Sequence, residues 1–178
     1  KLIGWFSDCL IVLTEEDKAY YCRNLRPRCP VVRIYNPIPF ESAWKGRAEQ
    51  REEAQEEKGI IFAAGRLTKV KGFDLLISSW ELLESRYPGW KLVIAGEGEE
   101  RRRLVKKARK AGLRNVVFAG IVVNMEDYYQ KAAFFVLPSR WEGLPMVLIE
   151  AMSFCLPAVS YLCKTGPKEI ITEGENGF

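Results

Sequence analysis

The chain has 178 residues, 48% of them hydrophobic, a net charge of +4 and no histidine. That is apolar material for one good core or a little more, and the mild, dispersed positive charge leaves no nucleic-acid footprint. No stretch approaches the ~20 apolar residues of a membrane span, and no signal peptide is visible. Cys9, Cys22, Cys29, Cys155 and Cys163 are odd in number and lack paired C-x-x-C spacing. They argue against a disulfide framework or a zinc site and for a reducing, cytoplasmic compartment. The chain begins at Lys1 without a methionine and stops at Phe178 just after a turn, so it reads as a fragment at both ends, and any imidazole chemistry must come from elsewhere.

Asp8 to Leu13 reads as a buried strand, and Thr14-Glu15-Glu16-Asp17 opens a short helix. Pro27 and Pro30 break the chain; Val31 to Tyr35 is a second strand, ended by Asn36-Pro37-Ile38-Pro39. Residues 1–40 make one unit. Arg47 to Lys58 is charged and nearly free of core residues, so 41–58 is taken as a charged linker at a domain boundary. From 59 to 178 strands and helices alternate. The strands are Ile60–Ala64, Lys91–Ala95, Val116–Ala119, Ala133–Leu137 and Pro157–Tyr161. Between them come helices Phe73–Tyr87, Glu99–Ala111 and Met125–Ala132, and one entered at Pro145. This alternation predicts an α/β, Rossmann-like parallel sheet with helices on both faces. Ligands of such sheets bind beyond the carboxyl ends of the strands, which puts four post-strand segments on one rim. The basic run Arg101-Arg102-Arg103, Lys106-Lys107, Arg109-Lys110 is a solvated helix face, with a membrane-surface role as the lesser reading.

Three rim segments carry chemistry. In Gly65-Arg66-Leu67-Thr68-Lys69-Val70-Lys71-Gly72, Arg66 leaves a strand and Lys71 precedes a helix. Two cations there can clamp a diphosphate and neutralise charge on a leaving phosphate. It is not a P-loop, since no Gly-Lys-Ser/Thr ends it. Gly96-Glu97-Gly98-Glu99 sits where a dinucleotide fingerprint would, but Arg101 replaces the third glycine and weakens an NAD reading. Either nucleotide approach or tight turning accounts for those glycines.

The third segment runs Ser139-Arg140-Trp141-Glu142-Gly143-Leu144-Pro145-Met146-Val147-Leu148-Ile149-Glu150-Ala151-Met152. Gly143 loosens the backbone and Pro145 suits a first helical turn. Glu150 is the only charge in an apolar helix and leans back toward its N-terminus, where Glu142 stands. Acids for hydroxyls, beside free N–H groups for phosphates, suit a nucleotide sugar. The plainer alternative makes Glu150 a partly exposed acid and Glu142 a loop residue.

These segments, with Leu92-Val93-Ile94-Ala95 and Gly174-Glu175-Asn176-Gly177, resemble the retaining glycosyltransferases of family four, which have the GT-B fold. The resemblance covers Ile60 to Phe178. It makes 59–178 the C-terminal nucleotide-sugar-binding domain, truncated at its end, and 1–40 the tail of an N-terminal Rossmann-like domain. It implies that Arg66 and Lys71, with Gly65, hold the donor diphosphate, that Glu142 faces the transferred sugar, and that Glu150 takes the ribose. Gly143, Leu144, Pro145 and Met146 would complete the sugar and phosphate site, and Ile121 and Val122 would border the base. Glu142, Arg66 and Lys71 would be the catalytic residues, Glu142 stabilising and orienting rather than acting as a nucleophile. No metal and no cofactor are implied, only a nucleotide-diphosphate sugar as donor substrate. The partners implied are that sugar and a carbohydrate or lipid-linked acceptor held by the N-terminal domain, with no nucleic acid. A peripheral contact at the cytoplasmic membrane face is a further expectation.

The chain departs from the family pattern at Cys155, where glycine is usual after the helix. Cys163-Lys164-Thr165-Gly166-Pro167 resembles a Cys-Pro-Thr-Gly-Pro variant of members that build bacterial surface polysaccharides, which points to UDP-sugar donors. The rival readings are a sugar-nucleotide epimerase of the same architecture and a non-catalytic nucleotide-sugar-binding subunit.

Overall fold

The structure, a computed structural model, describes residues 6–25, 27–38 and 59–178. The linker assigned to 41–58 lies outside the described residues. Near the start, β1 (Leu10–Val12) and β2 (Val31–Arg33) pair in parallel around α1 (Glu15–Tyr20), with Leu10 opposite Val31. Both strands are shorter than the apolar runs that announce them. The Asp17 N–H donates to Thr14 Oγ1 at 3.1 Å, the N-cap that the Thr-Glu-Glu-Asp spacing predicts.

The second unit runs β3 (Ile60–Ala64), α2 (Phe73–Leu83), β4 (Lys91–Ala95), α3 (Arg101–Lys110), β5 (Val116–Gly120), α4 (Met125–Lys131), β6 (Phe134–Leu137), α5 (Met146–Ser153), β7 (Ala158–Ser160) and α6 (Pro167–Ile170). Its five strands are parallel, in the order β5-β4-β3-β6-β7. The α/β, Rossmann-like fold is therefore as the alternation predicts. The helix α6, four residues long and opened by Pro167, and a single 3-10 turn at Lys69–Lys71 have no counterpart in the sequence reading. The helix α2 stops short of Tyr87, because Pro88 disfavours helical backbone in the residue before it. Glu84, just past its end, accepts the N–H groups of Arg114 at 3.0 Å and Asn115 at 2.6 Å and so fixes the entry to β5.

Alternation along the central strands divides the core. Phe62 and Ala64 of β3 and Val93 and Ala95 of β4 face one side, where they pack with Tyr129, Phe135, Leu148, Phe154 and Leu156 under α4 and α5. Ile61, Ala63, Leu92 and Ile94 face the other, with Leu67, Phe73, Ile77, Trp80 and Leu104 under α2 and α3. Burying each such large side chain is worth about 1.5–3 kcal/mol, so both layers hold the sheet rigidly. The chain enters mid-sheet at β3, works out to β5, then crosses to β6 and works out the other way. The order reverses between β3 and β6, and the crevice beyond their carboxyl ends is where a fold of this kind binds ligands. Among the described residues no helix is long and apolar enough to cross a membrane.

Candidate functional site

The loops after β3 and β6 meet at that crevice. Leu67 is fully buried and draws the β3 loop down onto the core. Its N–H donates to the Glu97 carbonyl at 2.8 Å, and the Gly65 N–H donates to Ala95 at 3.0 Å. A Cβ on Gly96 or Gly98 would overlap the Gly65 or Leu67 carbonyl. Packing of backbone on backbone thus accounts for both glycines. The β6 loop is stitched to the β3 loop by Arg140. Its N–H donates to Val70 at 2.8 Å and its guanidinium to the Lys69 carbonyl at 2.9 Å, while both its terminal nitrogens hold the Asp74 carboxylate, at 2.7 and 2.8 Å. That pairing keeps the Asp74 carboxyl below its usual range, the Arg140 hydrogen bond being the main cause.

Glu142 is 6% exposed and has a full set of partners. Lys71 Nζ donates to Oε1 at 2.7 Å and to Oε2 at 2.8 Å, and Ser139 Oγ donates to Oε1 at 2.5 Å. A carboxylate this buried needs such partners, since an unpaired charge there is expensive. The loop after β7 holds the same segment from behind: the Thr165 hydroxyl donates to the Glu142 carbonyl and the Cys163 thiol to the Ser139 carbonyl at 2.9 Å. Burial, then the Glu142 charge, pushes the Cys163 thiol up, so it stays a donor. Gly166, at φ 85°, lies where any Cβ would overlap the Gly143 carbonyl. Gly143 itself has ordinary backbone, so the conformational demand falls on Gly166 rather than on the residue the sequence reading chose.

Pro145 is the N-cap of α5, with ψ 95°, and not its first helical residue. Its carbonyl accepts the Leu148 N–H at 3.0 Å. The first N–H groups of α5 therefore open toward the crevice beside Glu142, the arrangement that attracts phosphate. One turn on, Glu150 is held differently. Tyr129 of α4, with no exposed surface, donates its hydroxyl to Glu150 Oε2 at 2.8 Å and lies 3.5 Å from the Val147 carbonyl. Burial, then the Glu150 charge, raises the Tyr129 hydroxyl far above its usual range, which keeps it a donor. Glu150 leans back along its helix as expected, yet each acid has its own partner.

Arg66 is exposed and has no ion pair or side-chain hydrogen bond among the described residues. Ile121 is 79% exposed and Val122 half-buried, on the same rim beyond β5; the Gly96 N–H ties the two loops by donating to Gly120 at 2.7 Å. Sequence reasoning missed Tyr129 and quoted Ser139 and Thr165 without a role. Only the Ser139-x-x-Glu142 spacing carried a local signal.

The sequence profile of the family described as glycosyl transferases group 1 matches residues 45–178. The chain belongs to that family. It is 34% identical over 172 residues to an uncharacterized glycosyltransferase of Haemophilus influenzae, across 96% of this chain and 46% of that one. It is 35% identical over 168 residues to the amylovoran biosynthesis glycosyltransferase AmsD of Erwinia amylovora, across 94% and 47%. The chain thus spans about half the length of these curated relatives. Among solved structures, a point mutant of S. aureus TarM, in complex with fondaparinux, α-GlcNAc-glycerol and UDP, superposes with a TM-score of 0.84 at 27% identity, over 96% of this chain and 33% of that one. The C-terminal domain of the group 1 family protein LpcC from Francisella tularensis matches at 0.62 and 26%, over 75% and 73%. In glycosyl transferases group 1 terms, the described sheet is one Rossmann-like half of a GT-B architecture. The Lys71–Glu142 contact lies at its topological switch.

Proposed function

We propose that the chain is the donor-binding half of a retaining, metal-independent glycosyltransferase. It would move a sugar from a nucleotide-diphosphate sugar, UDP favoured, to a carbohydrate or lipid-linked acceptor in polysaccharide or glycolipid synthesis. The observation that carries this reading is the Lys71–Glu142 pair, closed at 2.7 Å at the switch point and beside the free N-terminus of α5. Names of relatives support it: one solved neighbour was captured with UDP, and a Campylobacter jejuni relative, 31% identical over 174 residues, is named as an N-acetylgalactosaminyltransferase acting on an undecaprenol-diphosphate-linked saccharide.

In this reading the diphosphate lies across Arg66, Lys71 and the first N–H groups of α5, with Ile121 and Val122 beside the base and Glu150 at the ribose. Glu142 and the backbone of Gly143 to Met146 face the sugar. The bond from the sugar's anomeric carbon to the phosphate oxygen breaks, and the departing diphosphate takes negative charge that Arg66 and Lys71 stabilise. The acceptor hydroxyl attacks the same face and its proton passes to the leaving phosphate oxygen. Positive charge on the ring is opposed by the Glu142 carboxylate.

The test is a thermal-shift panel of the full-length protein with UDP, GDP, ADP and NAD, followed by product analysis with donor and an acceptor panel. A nucleoside diphosphate at 100 times its Kd should add about 2.7 kcal/mol of stability. Selective stabilisation by one of them, with transfer unaffected by a chelator, is the expected result. Stabilisation by NAD alone, or epimerised donor without transfer, would defeat the proposal.

A further inference from the structure

The Tyr129–Glu150 contact has no part in the chemistry above, yet it fixes one of the two acids on the donor rim. Tyr129 cannot shift easily. Its ring centroid lies 5.5 Å from that of Phe62, 6.1 Å from Phe135 and 5.4 Å from Phe154, all fully or almost fully buried. Its hydroxyl takes Glu150 Oε2 at 2.8 Å. Glu150 Oε1 accepts no hydrogen bond among the described residues, and the side chain is half-buried on an otherwise apolar helix. One carboxylate oxygen is therefore pinned by a rigid donor while the other remains for a ligand. A carboxylate only accepts, so its natural complement is a group with hydroxyl donors, and charge-assisted bonds of this kind are about twice as strong as neutral ones.

Resting on the donor-site reading given above, we propose that Tyr129 is a positioning residue that aims Glu150 at the ribose diol and makes the site selective for ribonucleotides over their 2′-deoxy counterparts. The physical basis is general. A site built to bond a hydroxyl discriminates sharply against the analogue that lacks it, because its own polar group is then left without a partner. If the carboxylate could rotate freely, it could turn to water when the 2′-hydroxyl is absent, and the penalty would shrink. Tyr129 removes that freedom.

The experiment is calorimetric titration of the full-length protein with UDP, GDP and ADP and with dUDP, dGDP and dADP, in the wild type, Tyr129→Phe, Glu150→Ala and the double variant. Tyr129→Phe keeps the ring in its aromatic cluster and removes only the hydroxyl. For the nucleotide that binds, the wild type should prefer the ribo form by about tenfold or more, one charge-assisted hydrogen bond being worth about 1.5–3 kcal/mol. Tyr129→Phe should weaken the ribo form and leave the deoxy form nearly unchanged, so that the ratio collapses. Adding Tyr129→Phe to Glu150→Ala should change the ratio no further. Equal weakening of both forms would show a structural role and overturn the assignment, as would an undiminished ratio in Tyr129→Phe. Equal wild-type affinity for the two forms would overturn it while leaving the donor site standing. Failure of all three ribonucleotides to bind the wild type would remove the donor-site reading, and this one with it.

Discussion

The Lys71–Glu142 pair permits a quantitative test of whether the crevice is a dry, preorganised site. The Glu142 side chain is 6% exposed and that of Lys71 29%. Two of the three hydrogen bonds to the carboxylate come from Lys71 and one from Ser139. Replacing Lys71 with Met keeps the apolar stem and strands a buried carboxylate with a single donor. Breaking a fully buried pair costs about 3–5 kcal/mol, and the partial access of water at Lys71 brings the expected loss below that range, to about 2–3 kcal/mol. Replacing both partners, Lys71→Met with Glu142→Gln, removes the charge as well, and the amide can still meet Ser139. The double variant should therefore be more stable than Lys71→Met alone, with a coupling energy above about 1 kcal/mol. Urea unfolding of the four proteins at pH 7, compared at equal m-value, measures this directly. A Lys71→Met cost below about 0.5 kcal/mol with no coupling is the signature of an exposed ion pair, and that result would refute the inference that this crevice excludes water.

Cys155 adopts φ 54°, the only non-glycine residue with positive φ among those described, and its N–H and that of Leu156 close the end of α5 on the Met152 and Ala151 carbonyls at 2.9 and 3.3 Å. A side chain there costs about 1–2 kcal/mol, offset by about 0.4–1 kcal/mol of extra unfolded-state entropy in glycine, so Cys155→Gly should raise Tm by a few degrees, while Cys155→Ala, which retains the Cβ, should not. If alanine stabilises as much as glycine, strain is not the cause. Arg66→Ala should leave stability within about 0.5 kcal/mol, as expected of an exposed unpaired cation, yet weaken nucleoside diphosphate binding by about tenfold while sparing the parent nucleoside, read by calorimetry. Arg140 depresses the Asp74 carboxyl below its ordinary 3.8, so the pair's contribution is present above that value and is lost as pH falls through the lower folded one. With side chains 35% and 22% exposed, Asp74→Asn should cost about 0.5–1 kcal/mol at pH 7, and the gap to wild type should narrow as pH falls below 3.8 in acid unfolding; a gap independent of pH would mean that charge is not the cause.

The sheet was legible because β3 to β6 are short apolar runs closed by glycine or proline and β7 is a short run opened by Pro157, and a parallel sheet covered on both faces demands that pattern. Where the reading slipped, the decisive force came from far along the chain. Pro145 has the composition of a first-turn proline, but the Gly166 backbone packs against Gly143 and holds the approach to α5 extended, so it caps the helix instead. No local pattern announces that Gly166, rather than Gly143, must be glycine. The helix α6 has a local start at Pro167 but is only four residues long, too short to leave a periodic pattern, and its charged residues are engaged by the far end of the chain: Glu169 accepts the Glu15 and Glu16 N–H groups at 3.0 and 3.2 Å, and Lys168 meets Glu16 at 2.6 Å.

The site divides the same way. A charge in an apolar helix signalled that Glu150 needs a partner, which the sequence could state without naming the partner. Tyr129 sits 21 positions away on a different helix, and nothing in Met125–Lys131 marks its hydroxyl as different from that of Tyr128. The topology alone makes the choice. The crossover from β5 to β6 lays α4 against α5 on one face of the sheet, and the Tyr129 ring fills the space among Phe62, Phe135 and Phe154. From that position the hydroxyl meets the one carboxylate α5 carries. The acids at the rim are thus readable from spacing, but their aim is a product of the packed core beneath them. A variant that loosens that core, such as Phe154→Leu, should blur donor selectivity before it abolishes folding.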